Sequence, residues 1–311
     1  MSTVSAVVVC YNHARFLREA LRSVDAQSRR PDQVVVIDDA STDGSQGLIR
    51  EWAAASGLNP TVILHAENRG PCPTFNEALR LVDGDLIAAL AADDYWLPDK
   101  LRLQADVLDA APAAVGVVYS DVPIVDELGQ TVAESFLNSY DAPSPRPAGA
   151  VFESLLDHNF VPGPGAMYRR ACVDEVGYLD ERLQHEDWDF WLRIAAHFEF
   201  AYLDADVARY RRVAGSLVGR IAKSAYVVDY LRTLDKLSAE RLPWHDAVRR
   251  KLLSLASELC AEGGSDARWA LRLRIKHETG PRKVALALVT LYGLVPPRVL
   301  NQIRKLKVQR G

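Results

Sequence analysis

Four cysteines in 311 residues, at positions 10, 72, 172 and 260, stand too far apart for a zinc knuckle or a disulfide framework. Reduced thiols in a cytoplasmic setting are what that scarcity implies. No uninterrupted apolar run reaches the ~20 residues of a membrane-crossing helix. The opening Met-Ser-Thr-Val-Ser lacks the basic flank and apolar core of a secretory leader. Neither secretion nor a membrane span is expected. An excess of one charge is missing as well, and a formal net charge of −4 gives no reason to expect nucleic acid as a partner. No glycine-rich, Lys- or Arg-bearing phosphate loop follows the first apolar run, which disfavours nucleotidylyl transfer.

What is present is length enough for one large α/β domain with an appendage, or two modest domains. Val4 to Cys10 is an apolar, β-rich run ending in Tyr11-Asn12. Phe16, Leu17, Ala20, Leu21 and Val24 then recur at helical spacing. Gln33 to Ile37 gives a second buried strand that stops at Asp38-Asp39. The turn from Ala40 to Ser45 leads into a helix through about Ser56. Thr61 to His65 is a third strand, and Thr74 to Val82 reads as helical after a turn-rich loop, Asn68 to Pro73. Leu86 to Ala92 carries no charge and suits a strand buried on both faces. It ends in Asp93-Asp94.

Strands alternating with helices imply a mostly parallel sheet, with ligands beyond the carboxyl ends of its strands. Tyr11-Asn12, Asp38-Asp39 and Asp93-Asp94 each end one such strand, so all three should border one crevice. Four carboxylates there need a cation, protons or hydrogen-bond donors to coexist. A hard divalent ion shared with ligand phosphates is the economical answer. Taken singly, Asp93-Asp94 also reads as a solvated turn before the helix near Pro98-Asp99.

Further on, a helix to about Ala111 and a strand from Gly116 to Asp121 are expected. Leu137 to Pro147 is polar and proline-punctuated, as in a surface loop or lid. His158 to Gly165 is a stiff turn before the strand Ala166 to Tyr168. His185-Glu186-Asp187 precedes a helix from Trp188 to His197, whose tryptophans, 188 and 191, read as core packing before they read as a sugar platform. Asp187 suits the cap of that helix, a role compatible with catalysis.

Five motifs in register resemble the family 2 glycosyltransferases of GT-A fold: Val-Val-Val-Cys-Tyr-Asn at 7 to 12, Val-Val-Val-Ile-Asp-Asp-Ala-Ser-Thr-Asp-Gly-Ser at 34 to 45, Asn-Arg-Gly at 68 to 70, Ala-Asp-Asp-Tyr-Trp-Leu-Pro-Asp-Lys-Leu at 92 to 101, and Glu-Asp-Trp-Asp-Phe-Trp-Leu-Arg at 186 to 193. The resemblance implies a Rossmann-like central sheet flanked by helices over residues 1–215, with a nucleotide-sugar-binding half at 1–121 and an acceptor half at 122–215. It implies transfer of one sugar, with inversion, from a UDP- or dTDP-sugar to an acceptor hydroxyl on a saccharide, a lipid-linked or a small molecule. Tyr11 would flank the nucleobase and Asp39 accept a hydrogen bond from it, with Asn12, Asn68 and Gly70 also on the donor side. Asp93 matches the carboxylate that holds Mg²⁺ or Mn²⁺ on the diphosphate, with Asp94 beside it. Asp187 matches the catalytic base, and His158, Glu186 and Trp188 fall on the acceptor side. Where the family's D-x-D usually begins with an acid, this chain has Ala91. Thr74-Phe75-Asn76 stands where Ala-Arg-Asn is frequent, so Arg211, or its neighbours Arg209 and Arg212, would compensate at the phosphates. The alternative for these arginines is a solvent-exposed strand edge.

From about Ser216 the pattern is helical. Between Ala267 and Gly311 eleven basic residues face one acid, Glu278, and surround the apolar segment Val284 to Val295. Residues 216–311 thus read as a basic helical extension that lies on an anionic membrane face, packs on the catalytic domain or joins a second subunit. The family's processive-synthase signature, Gln-x-x-Arg-Trp, is absent. The expected role is cell-surface glycan or glycoconjugate assembly. The competing class is a catalytically silent nucleotide-sugar-binding scaffold, to which Ala91 and Phe75 lend weight.

Overall fold

A computed structural model of the chain describes residues 1–183, 186–214, 223–240, 242–262, 266–279 and 283. The apolar segment at 284–295, most of the basic tail and His185 lie outside them. The chain divides into two compact units, Met1–Arg220 and Ile221–Gly311.

In the first unit, β1 (Val4–Cys10), α1 (Ala14–Asp25), β2 (Gln33–Asp38), α2 (Ser45–Ala55), β3 (Thr61–Leu64), α3 (Pro71–Leu81) and β4 (Leu86–Ala91) alternate as the apolar periodicity predicts. Then come β5 (Tyr95–Trp96), α4 (Lys100–Ala110), β6 (Val115–Tyr119), β7 (Ile124–Val125), β8 (Thr131–Ala133), α5 (Phe136–Ser139) and α6 (Phe152–Asp157). A 3₁₀ turn at Gly163–Gly165 leads to β9 (Ala166–Arg169), α7 (Arg170–Val176), α8 (Glu186–Ala195), β10 (Glu199–Tyr202) and β11 (Ala208–Arg211).

The main sheet runs β10-β6-β9-β4-β1-β2-β3, with β9 antiparallel to both neighbours and the other pairings parallel. This is the expected α/β architecture. β1 lies at its heart, and Val4, Ala6, Val7, Val8 and Cys10 are wholly buried. Each such valine contributes about 1.5–3 kcal/mol of burial. Gly84 admits β4 alongside β1, since a Cβ there would lie 2.8 Å from the Ser5 backbone nitrogen. A smaller sheet, β5-β11-β7-β8, crosses the chain's halves: β11 pairs with β5 on one side and β7 on the other.

Three local expectations change. α3 begins at Pro71, because proline is tolerated in a first helical turn whose amides have no partner anyway. α8 begins at Glu186, so Asp187 sits inside the first turn instead of before it. The segment 137–147 is tethered: Asp121 accepts a backbone hydrogen bond from Leu137 at 3.0 Å and one from Arg146 Nη2 at 3.1 Å. A loop so fastened is a wall. Trp188, Trp191, Leu192 and Ala195 are all buried, which settles the tryptophan stripe as core.

Lys100 is fully buried among these elements. Its Nζ donates to the Ala166 carbonyl at 2.9 Å and to Gln104, and lies 5.2 Å from the centre of the Trp96 ring. It thereby fastens α4 to the start of β9. Burial pushes its ammonium down from 10.5 to about 7. The unfolded chain therefore binds a proton that the native site lacks between about pH 7 and 10.5, and stability should rise with pH across that window. Below it the penalty is complete and constant. In Lys100→Met the slope of the urea midpoint against pH should be flatter than in the parent; equal slopes would refute the assignment.

The second unit holds α9 (Lys223–Ser238), α10 (His245–Glu262) and α11 (Ala267–His277). Leu231, Leu234, Val248, Leu252, Ala256, Leu259, Ala270 and Leu273 form its core. Asp235 on α9 accepts from Lys276 and His277 on α11, each at 2.6 Å. Among the described residues no helix is long and apolar enough to cross a membrane.

Candidate active site

Three strand tips meet as the sequence predicts. β1 pairs with β2 on one side and β4 on the other, with Cys10 opposite Asp38 and Val9 opposite Ala91. The Asp39 amide donates to the Cys10 carbonyl at 2.9 Å and the Ala92 amide to Val9 at 3.0 Å. Tyr11, Asp39 and Asp93 thus leave one edge of the sheet side by side.

What each side chain then does differs. Asn12 takes a left-handed backbone (φ 56°), accessible to asparagine, and its Oδ1 accepts from the Thr42 amide at 2.8 Å. That bond ties the loop after β1 to the loop after β2. Tyr11 next to it is 47% exposed, a ring free to meet a ligand. Asp38 is turned inward, accepting from the Ser41 amide at 2.8 Å and Gln46 at 3.0 Å. Asp39 is also buried. Its carboxylate accepts from the amides of Arg69 and Gly70, both at 2.8 Å, and meets His65 Nδ1 at 2.9 Å. Gly70 holds φ +92°, which favours glycine, and Asn68 Nδ2 returns to the Asp39 carbonyl at 3.1 Å. The carboxylate read as a nucleobase acceptor therefore spends two hydrogen bonds on shaping the Asn68-Arg69-Gly70 loop and a third on His65.

The acids after β4 also divide. Asp94 is buried, and its Oδ1 accepts from the Arg211 amide at 2.7 Å. Asp93 stays partly open, with His13 Nδ1 at 3.7 Å from its Oδ1. Burial pushes the Asp93 carboxyl above the ordinary range, against the pull of His13 and Arg211. Burial and then the neighbouring Asp93 charge push Asp94 well above it. So the expectation of four crevice carboxylates is corrected: only Asp93 among them faces outward, and Asp94 is withdrawn from a metal-binding position by its bond to β11. Among the described residues no cluster of three or more His, Cys, Asp or Glu side chains could hold a metal on its own.

Arg211 is corrected likewise. Its side chain is 2% exposed, lying 4.8 Å from the Phe16 ring centre and 5.4 Å from that of Tyr95. Nε donates to the Asp93 carbonyl at 2.8 Å, Nη1 to the Asp126 carbonyl at 2.9 Å, and Nη2 to Glu19. A guanidinium with all three nitrogens engaged lies beneath the acidic turn and cannot also reach a phosphate. The sequence carried no sign of this, because Glu19 and Asp126 are far away along the chain.

Asp187 is exposed on the first turn of α8. Its Oδ1 accepts from the Trp188 amide at 2.7 Å and its Oδ2 from Asn159 Nδ2 at 3.0 Å. Asn159 Oδ1 is buried without a partner among the described residues. Asn159 belongs to the turn read as acceptor-facing, where His158 is half-buried at the end of α6. Trp188 is a correction: its indole donates to the Leu155 carbonyl at 2.6 Å and its ring is buried, so it packs the core and offers no platform. The Glu186 side chain lies outside the described residues.

Tyr210 on β11 was passed over by sequence reasoning. Its phenol is pushed far up, first by burial and then by Asp94, Tyr140, Asp93 and Asp187. The acid of the β4 turn and the acid of α8 therefore act on one hydroxyl.

Comparison with known proteins fits this geometry. The family model described as "Glycosyl transferase family 2" matches residues 5–177. The uncharacterized glycosyltransferase alr2836 of Nostoc sp. is 30% identical over 190 residues, 60% of this chain and 56% of that protein. The uncharacterized protein Rv1520 of Mycobacterium tuberculosis is 32% identical over 214 residues, 68% of this chain and 59% of that protein. The chain thus matches less than two thirds of the length of these relatives. Among solved structures, S. aureus TarS 1-349 in complex with UDP-GlcNAc superposes with a TM-score of 0.66 at 18% identity, covering 88% of this chain and 80% of that one. The mannosyltransferase PcManGT from Pyrobaculum calidifontis, in complex with GDP-Man and Mn²⁺, gives 0.61 at 20% identity over 98% of this chain and 84% of that one. At such identities the likeness is one of fold, the GT-A fold.

Proposed function

Because the chain belongs to glycosyl transferase family 2, we propose that it moves one sugar from a nucleotide-diphosphate sugar to an acceptor hydroxyl, with inversion at the anomeric carbon. The observation that carries this reading is the convergence of the β1, β2 and β4 tips at one end of the sheet, with a partly open Asp93 just beyond β4. Nucleotide sugars are named with both solved neighbours, which supports the donor class. A uridine or deoxythymidine donor is our choice of nucleobase, with Tyr11 against its face.

Inversion needs in-line attack, so the base and the leaving diphosphate must lie on opposite sides of the sugar. Asp187 is the base in this reading. A positioned carboxylate that takes the acceptor proton is worth ~10²- to 10⁴-fold. Its bond from Asn159 fixes the direction of one oxygen, leaving that oxygen's second lone pair for the acceptor. Asp93 is a hard oxygen ligand, partly open but with burial outweighing the positive charge around it, a fit for Mg²⁺ or Mn²⁺. The ion would be held by Asp93, diphosphate oxygens and water, Asp94 being turned inward, and it would neutralise the leaving diphosphate. Arg211 supports that turn from below. The Asn68-Arg69-Gly70 loop, shaped by Asp39, is the remaining wall of the donor side.

A thermal-shift screen of nucleotide sugars, with and without Mn²⁺, tests the reading, since a ligand that binds only the folded state raises its melting point. We expect a UDP- or dTDP-sugar to raise it by several degrees with Mn²⁺ and by little without, and the same donor to release its nucleoside diphosphate slowly. The Mn²⁺ increment should shrink as pH falls through the raised range of Asp93, because the ion must displace a proton there. Binding without turnover of any donor would favour the silent scaffold. No response to any nucleotide sugar would overturn the proposal. A cytoplasmic setting, membrane contact through the basic tail, self-association and a part in cell-surface glycan assembly complete the proposal, and vesicle sedimentation of the full chain addresses the second of them.

A further inference from the structure

His13 is fixed by its backbone, yet its side chain does nothing for the helix it introduces. It follows the left-handed Asn12 and precedes α1, where its carbonyl accepts from the Phe16 and Leu17 amides, both at 2.9 Å. Its ring makes no capping bond, and the first amide of that helix, Ala14, is taken by Asp43 Oδ2 at 2.8 Å. The imidazole stands edge-on to Phe16, ring centres 6.4 Å apart at 67°. That packing sets the plane of the ring and with it the direction of its nitrogens.

One of those nitrogens is out of place in a purely structural role. Nδ1 is buried without a hydrogen-bond partner among the described residues, and Asp93 Oδ1 lies 3.7 Å from it. That separation is too long for a hydrogen bond, and a buried nitrogen left without one is a cost to the fold. The same separation suits two atoms that share an ion. Donors about 2.1 Å from one metal lie about 3.0 Å apart at a right angle and about 4.2 Å apart in line. Both side chains keep an open edge, 28% exposed for His13 and 17% for Asp93, so an ion has a way in. The positive end of α1 opposes a cation there, but the Asp43 carboxylate on its first amide offsets it.

We propose that His13 Nδ1 and Asp93 Oδ1 are the two protein ligands of the divalent ion, and that the nitrogen makes the site select Mn²⁺ over Mg²⁺. The inference rests on the glycosyl-transfer reading and deepens it. With its proton on Nε2, a neutral imidazole presents a lone pair at Nδ1, the form in which histidine binds metals. Imidazole suits transition ions, whereas Mg²⁺ prefers oxygen and gives up its water reluctantly. Two protein ligands leave the rest of the shell to diphosphate oxygens and water, so ion and nucleotide should bind together.

Pulsed EPR of Mn²⁺ on the full chain reads the ligand directly, because a ¹⁴N bonded to the ion modulates the echo decay. With whichever of UDP, dTDP and GDP binds, we expect that modulation in the parent and its loss in His13→Gln, which keeps a polar side chain but no imidazole. By calorimetry, Mn²⁺ affinity in the variant should fall at least about tenfold, the low end of the cost of losing even an outer-shell partner. Mg²⁺ affinity should stay within about threefold, and the melting temperature of the metal-free protein should not change. The parent spectrum is decisive even if the variant folds poorly: bound Mn²⁺ without nitrogen modulation would overturn this inference and leave the glycosyl-transfer reading standing. Modulation that persists in a folded His13→Gln, or nucleotide binding that brings in no Mn²⁺, would do the same. Failure of all three nucleotides to bind, with or without Mn²⁺, would overturn the glycosyl-transfer reading and this inference with it.

Discussion

Asp187→Asn is expected to lower single-turnover sugar transfer by about 10²- to 10⁴-fold while leaving nucleotide-sugar affinity within a few-fold. The asymmetry follows from where Asp187 stands. It is exposed at the start of α8, its carboxylate held by one amide of its own helix and by the side-chain amide of Asn159 in the turn after α6. Asparagine keeps the size and one acceptor oxygen, so the helix start survives, but it cannot take a proton from an acceptor hydroxyl. Asn159→Ala is the graded control: the base remains but loses the donor that aims its oxygen, so transfer should fall less, with binding again preserved. Asp93→Ala is the contrast, since it removes the outward-facing acid of the donor side and should weaken Mn²⁺-dependent donor binding as well as transfer. If Asp187→Asn costs binding as much as it costs transfer, Asp187 belongs to the donor site and the base lies elsewhere.

Local physics made the fold legible. Apolar runs of β length, two of them ending in acids, with helical spacing between them, gave β1 to β4 in order, and the placement of ligands at strand ends followed from parallel pairing alone. Which acid of each pair faces outward was not legible. Asp38 is engaged through one oxygen by the Ser41 amide and Gln46, Asp39 by the Arg69 and Gly70 amides and His65, and Asp94 by an amide 117 residues away. The partners of Asp39 and Asp94 come from segments that the linear sequence does not juxtapose. Arg211 misled for a related reason: a basic residue near an acidic motif resembles a phosphate ligand until its acceptors are known. Trp188 and Trp191 went the other way, since helical spacing alone favoured their burial.

Arg211→Ala should be the most destabilising single change in the first unit among those considered, by about 3–5 kcal/mol, the usual cost of removing one side of a buried charged network. At roughly 2–4 °C per kcal/mol for a unit of this size, the melting temperature should fall by about 10 °C. The cost has three sources. The Asp93 and Asp126 carbonyls lose their donor, the Phe16 and Tyr95 rings lose the cation packed against them, and the two acids above lose the fixed positive charge that opposes their burial. Glu19, mostly exposed, loses little. Lysine should not rescue, because a single ammonium cannot span carbonyls that the guanidinium fork reaches from two of its nitrogens. The alternative role read from the sequence, an arginine on the donor phosphates, predicts the reverse pattern: an unchanged melting temperature and urea midpoint with donor affinity lost. Measuring both on Arg211→Ala separates the two. A variant as stable as the parent would mean that the buried position described here is not the one that matters, and would return Arg211 to the crevice.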